Sequence, residues 1–161
     1  MIYKLLIYFI IILNISIYPE YFHNGESGIS INLPDGWKTK VKNSFLESVS
    51  SDNKVIFRMT STSANTLPKK LSFAMGSVKQ FMDNIEYTTS PSGTTRTLNN
   101  MQVTYVEGKG LQKGSKKIFY WSVAVATNKA TVAISIFATE EGNTKHAESI
   151  GRIINSLTRE N

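Results

Sequence analysis

The sequence predicts an α+β domain: a three-layer α/β/α sandwich with a central antiparallel sheet of about six or seven strands and two main helices. Three observations predict it. Beyond residue 28, apolar residues alternate with polar ones in short runs separated by Gly, Pro, Asn and Asp, the period of strands. Two segments instead repeat apolar residues at intervals of three and four, the period of helices. One long run, residues 117–127, is apolar on both sides and so needs cover above and below.

The elements follow in chain order. "GISINL" puts Ile29, Ile31 and Leu33 on one side of a strand, with Ser30 and Asn32 between them. Pro34 ends pairing, Asp35 and Gly36 turn the chain, and Trp37 is placed to cover the sheet edge. "NSFLESVS" and "KVIFRMTST" flank the polar Ser51-Asp52-Asn53 and read as a hairpin. After Pro68, the apolar residues Leu71, Met75, Val78, Met82 and Ile85 form one helical stripe, widened by Phe81. From residue 86 strands return as a meander at roughly 94–98, 101–107, 117–127 and 130–138, separated by Asn99-Asn100, the Gly/Lys-rich residues 108–117 and Asn128-Lys129. Asn128 suits a turn with positive φ. In the long strand Phe119, Trp121, Val123 and Val125 share one face, with Ile118, Tyr120 and Ala124 on the other. A second helix, N-capped near Asn143 or Thr144, carries Ala147, Ile150, Ile154 and Leu157 on one stripe with Ile153 beside it.

A chain of 161 residues suits one ordinary domain, and 41% hydrophobic with 19% charged residues is a globular balance. With no cysteine, disulfide scaffolds, thiolate metal sites and lipid attachment through an N-terminal Cys are excluded. At the N-terminus Lys4 precedes fourteen mostly apolar residues, Leu5 to Tyr18, and then Pro19. Residues 1–19 are read as a signal peptide or, because bulky Ile17 and Tyr18 stand where a cleavage site needs small residues, as an uncleaved membrane anchor. Residues 20–27 are expected as a linker and 28–161 as a single domain. The protein is expected to be exported, periplasmic or extracellular, or held at the membrane by that segment. Export leaves a nucleic-acid partner without support despite the net charge of +6.

The order of these elements, with Pro34 and Trp37 after the first strand, Leu98-Asn99 before the long meander, and Ile150, Ile153, Ile154 and Ser156 in the final helix, resembles the Mog1/PsbP-like superfamily and its small exported bacterial members. The similarity covers roughly residues 28–158. It implies an α/β/α sandwich on an antiparallel sheet and implies no enzyme activity. Where many relatives show Leu-Asn-Gly, this chain has Leu98-Asn99-Asn100.

No catalytic constellation stands out. The two histidines, His23 in the expected linker and His146 at the start of the last helix, are both expected on the surface, and their spacing with no flanking carboxylates proposes no metal site. Glu140-Glu141 fit a helix entrance, and Glu47 faces Arg58 across the hairpin as an exposed pair. Two sets of candidate binding residues remain. Lys109, Lys113, Lys116 and Lys117, interleaved with Gly108, Gly110 and Gly114, form either an anion-holding loop or a solvated hairpin tip that discourages edge pairing. Tyr105 and Tyr120, with Trp121 and Phe137, either line a pocket or belong to the core. The function expected is that of a non-catalytic exported binding or accessory domain of the cell envelope, with another protein as partner and no cofactor. The alternatives are a membrane-anchored domain touching anionic lipid through the lysine loop, and a small hydrolase.

Overall fold

The computed structural model describes residues 20–160, so the expected leader at 1–19 lies outside the described residues. Its core is an α+β arrangement dominated by one antiparallel sheet of eight strands. In chain order these are β3 (Lys38–Lys42), β4 (Phe45–Val49), β5 (Val55–Thr62), β6 (Met82–Tyr87), β7 (Thr94–Leu98), β8 (Met101–Gln112), β9 (Ile118–Thr127) and β10 (Thr131–Thr139). They pair in the order β3-β4-β5-β10-β9-β8-β6, and β7 pairs with the other half of the long β8. A separate three-stranded sheet joins β1 (Glu20–Asn24), β2 (Ile29–Leu33) and β11 (Thr158–Arg159), with β2 in the middle. The helices are α1 (Leu67–Phe81), α2 (Glu140–Lys145) and α3 (Ala147–Asn155).

Alternation along β9 and β10 divides the core in two. Ala124 and Ala126 join Val132, Ile134, Ile136 and Ala138 in a cluster closed by Ile29, Ile31 and Leu33 of β2 and by Ile153 and Leu157. The intervening residues, Phe119, Trp121, Val123, Val125, Ala133 and Phe137, form a second cluster under Leu71, Ala74, Met75 and Val78 of α1. The two-sided apolar character of β9 thus arises from burial on both faces. Trp37 packs against the first cluster. Asn99 and Asn100 both have positive φ, 47° and 61°, in the two-residue loop joining β7 to β8, the geometry that suits a tight hairpin.

Several sequence expectations are corrected. The main sheet has eight strands, and "GISINL" lies outside it, pairing with β1 in what was expected to be a linker at 20–27. Asn24 explains that order: only 2% exposed, its Oδ1 accepts from Ser27 N, Ser27 Oγ and Ser61 Oγ, so the segment is tied to β5. Helix α1 stops at Phe81, because Met82 onward pairs with β8. Met82 remains buried beneath α1, and Asn84, with φ 48°, lies where the register shifts between Asp83 and Glu86. Strand β8 runs on to Gln112, which shortens the lysine loop to residues 113–117. The final helical region begins earlier than expected, with Thr139 Oγ1 accepting from Gly142 N at 2.9 Å, and breaks at His146. Asn128 is not a positive-φ residue; its side chain donates to the carbonyls of Gly28 and Glu160, joining the two sheets.

Candidate functional site

A groove of roughly 520 Å³ opens where small residues face one another between the main sheet and α3. Ala124 and Ala138 form its sheet side, Ala147 and Gly151 its helix side, and Ile136, Ile150 and Ile154 supply apolar wall. A Cβ added at Gly151 would meet nothing within 4 Å, so the gap results from small side chains where bulky ones would fit. Tyr105, Glu107 and Tyr120 enter from β8 and β9 on this face, because Tyr105 lies opposite Ala124 and Glu107 opposite Ser122. Arg96 of β7 lies opposite Val103, with its guanidinium 5.2 Å from the centre of the Tyr105 ring. That distance suits a cation–π contact.

The groove therefore carries both signs of charge. Among the described residues, neither Arg96 nor Glu107 makes an ion pair, and the side chains of Tyr105, Tyr120, Ser122 and Asn143 make no hydrogen bond within the chain. Uncommitted donors and acceptors above an apolar floor are suited to holding a peptide or another mixed-polarity ligand in one orientation.

The aromatic set expected from sequence is thus divided. Tyr105 and Tyr120 share the groove, four residues apart by register or about 13 Å along the strand. The rings of Trp121 and Phe137 lie in the second cluster, beneath α1. Sequence reading missed Arg96, Glu107 and Asn143. Their one visible signal was the set of Ala and Gly positions scattered over β9, β10 and α3, which become a single gap only when register is known.

The four lysines are also divided. Lys109 Nζ lies 3.1 Å from Glu86 Oε2, and Lys113 Nζ donates to the Lys79 carbonyl at 2.6 Å, in the last turn of α1. Lys116 and Lys117 remain at the exposed tip. Several tip groups are spent within the turn itself, with Ser115 N bonded to Gln112 O and Lys117 N to Ser115 Oγ. The loop therefore does not gather four ammonium groups around a point.

Both histidines are engaged. His146, expected on the surface, is 13% exposed by side chain; its ring meets Trp37 edge-on at 5.8 Å, and its Nε2 lies 3.0 Å from Asp52 Oδ1. Lys145 Nζ at 2.8 Å, Ser50 Oγ at 2.7 Å, His146 and the Lys54 amide hold the Asp52 carboxyl far below the usual carboxylate range. His23 lies on β1, its Nδ1 2.9 Å from Ser30 Oγ and 3.3 Å from Glu160 Oε2. Tyr21 donates to Glu160, as does Ser30, and with them the nearby His23 and Lys129 lower the Glu160 pKa. Although this set contains Ser, His and an acid, hydroxyl and carboxylate converge on the same ring nitrogen. A proton relay needs them on opposite nitrogens, and Ser30 is fully buried. Glu47 and Arg58 do pair, at 2.7 Å, but with side chains only 22% and 29% exposed. Among the described residues no group of three or more His, Cys, Asp or Glu is placed to hold a metal ion, and no helix is long and apolar enough to cross a membrane.

No family model matches the chain, and no curated protein matches its sequence. Solved structures do. Cyanobacterial PsbP from Synechocystis superposes with a TM-score of 0.62 at 13% identity, covering 89% of this chain and 94% of that one. LpqN, involved in cell envelope biogenesis of Mycobacterium tuberculosis, gives 0.53 at 18% identity over 86% and 88%. A protein from Bacteroides thetaiotaomicron gives 0.60 at 12% identity over 89% of this chain, which spans only 49% of that longer one. At such identities the likeness is one of fold, and it bears out the PsbP-like fold expected from the sequence.

Proposed function

We propose that this chain is an exported, non-catalytic accessory domain of the cell envelope, a layered α/β/α unit following a leader at 1–19, and that it works by binding another protein through the groove between β8–β10 and α3. The carrying observation is the uncommitted Arg96 and Glu107 beside Tyr105 and Tyr120 over a floor of alanines. The fold shared with PsbP and LpqN, the latter involved in envelope biogenesis, supports the setting. A photo-crosslinking residue placed at Tyr120 in the native cell should trap one defined partner, and the adduct should weaken at least about tenfold with Arg96→Ala. The same probe at Phe73, which lies on α1 and 46% exposed, should not trap it. An adduct equally strong at both positions, or none at Tyr120, sinks the proposal. The lipid alternative keeps only Lys116, Lys117 and the exposed Ile118 at the tip, and it predicts lipid adducts there in place of protein ones.

A further inference from the structure

Strand β3 ends the main sheet and, among the described residues, is hydrogen-bonded to β4 alone, so one row of its backbone N–H and C=O groups faces outward. Its sequence, "KTKVK", places Lys38, Lys40 and Lys42 on one face and Thr39 and Val41 on the other. Register fixes which face is which. Lys42 lies opposite Phe45, Lys40 opposite Glu47 and Lys38 opposite Val49; Phe45, Glu47 and Val49 in turn face Thr60, Arg58 and Ile56. Since Ile56 joins the cluster under α1, the lysines lie on the α1 side of the sheet.

Those lysines are not neutralised from within. All three are exposed, and among the described residues none makes an ion pair. The one carboxylate opposite them, Glu47, is held by Arg58 at 2.7 Å. On the other face Val41 is 54% exposed.

We infer that the open edge of β3 receives an extended segment of a partner protein in which acidic residues alternate with apolar ones. Charge and spacing carry this. Residues two apart on a strand repeat at about 6.8 Å, so an added strand with carboxylates at alternate positions sets one beside each lysine, while its other face brings apolar side chains to Val41. A second copy of β3 would set lysine against lysine, and like charges directly opposite are unfavourable. The same row therefore rejects self-pairing and selects an acidic strand. A lipid headgroup satisfies the charges but leaves the outward backbone groups without strand partners.

The inference shares with the proposed function the idea of a protein partner but uses a different surface, so loss of crosslinks at Tyr120 leaves it standing. The test takes the full 15N-labelled chain in zwitterionic bicelles and adds a nine-residue peptide with Glu at alternate positions and Val between. The β3 amides that point away from β4 should become protected from exchange, and affinity should fall about tenfold between low and moderate salt. Lys40→Glu should weaken binding at least about tenfold. Replacing Lys38, Lys40 and Lys42 together by Glu should abolish it and create binding to the matching Lys/Val peptide, which also shows that the variant is folded. Three outcomes overturn the inference: equal binding of a peptide with its Glu residues in one block, protection elsewhere than β3, or protection of the same amides by phosphatidylglycerol in the bicelles while the peptide has no effect. If the triple variant fails to fold, the single Lys40→Glu result decides.

Discussion

The imidazole of His146 holds the carboxylate of Asp52 across 94 residues of chain, its Nε2 lying 3.0 and 3.1 Å from the two oxygens. Asp52 sits in the β4–β5 turn and His146 at the break between α2 and α3, so this contact joins the hairpin to the helical cover. Lys145, Ser50 and the Lys54 amide complete the shell around the same carboxylate.

Stability should therefore depend on acid through Asp52. Its carboxyl titrates lower in the folded chain than in the unfolded one, so its contribution is fully present above the unfolded carboxylate range and is lost as pH falls toward the folded value. In thermal unfolding, Asp52→Asn should melt below the parent at about pH 7, and the margin should narrow progressively below about pH 4. A margin independent of pH would show that the aspartate acts through shape alone.

Glycine substitutions should have opposite signs at different sites. At Gly108 a Cβ would lie 2.0 Å from the Glu86 carbonyl and 2.4 Å from Trp121 Cζ2, because the indole lies directly over that backbone. Gly108→Ala should cost about 2 kcal/mol or more in urea unfolding. Gly151→Ala in α3, with nothing within 4 Å, should instead stabilise by about 0.5–1 kcal/mol while narrowing the groove.

The lysine loop should separate by role. Lys113 donates to a carbonyl in the last turn of α1, so Lys113→Ala should destabilise by about 0.5–1 kcal/mol. Lys116 has φ 53°, a conformation that glycine adopts freely, so Lys116→Gly should stabilise by up to about 1 kcal/mol. Equal effects in chemical denaturation would contradict the separation.

Whatever follows from nearest-neighbour periodicity was legible in the sequence. The faces of β9, the β4–β5 hairpin and the Asn99-Asn100 turn each depend on residues a few positions apart, where alternation and backbone preference act. The exit of α1 was not legible, because Met82 and Ile85 continue a helical stripe as well as they begin a strand, and only pairing with β8 decides between them. The burial of His146 was hidden for a similar reason: Asp52 and Trp37, which enclose it, are distant in sequence. For the candidate site, Tyr105 and Tyr120 were visible as aromatics, but their separation from Trp121 and Phe137 and their meeting with Arg96 depend on sheet register.

Because β2 is flanked by the first strand and the last, the described polypeptide nearly closes into a ring. Gly28, bonded to Glu160, and Leu33, opposite Glu20, are roughly 17 Å apart along β2. A bridge of about eight residues would join the two ends, and the chain could then be reopened at residues 113–117 with each strand intact. The architecture thus accommodates a cut at that loop, and a form permuted there is expected to refold to the same shape.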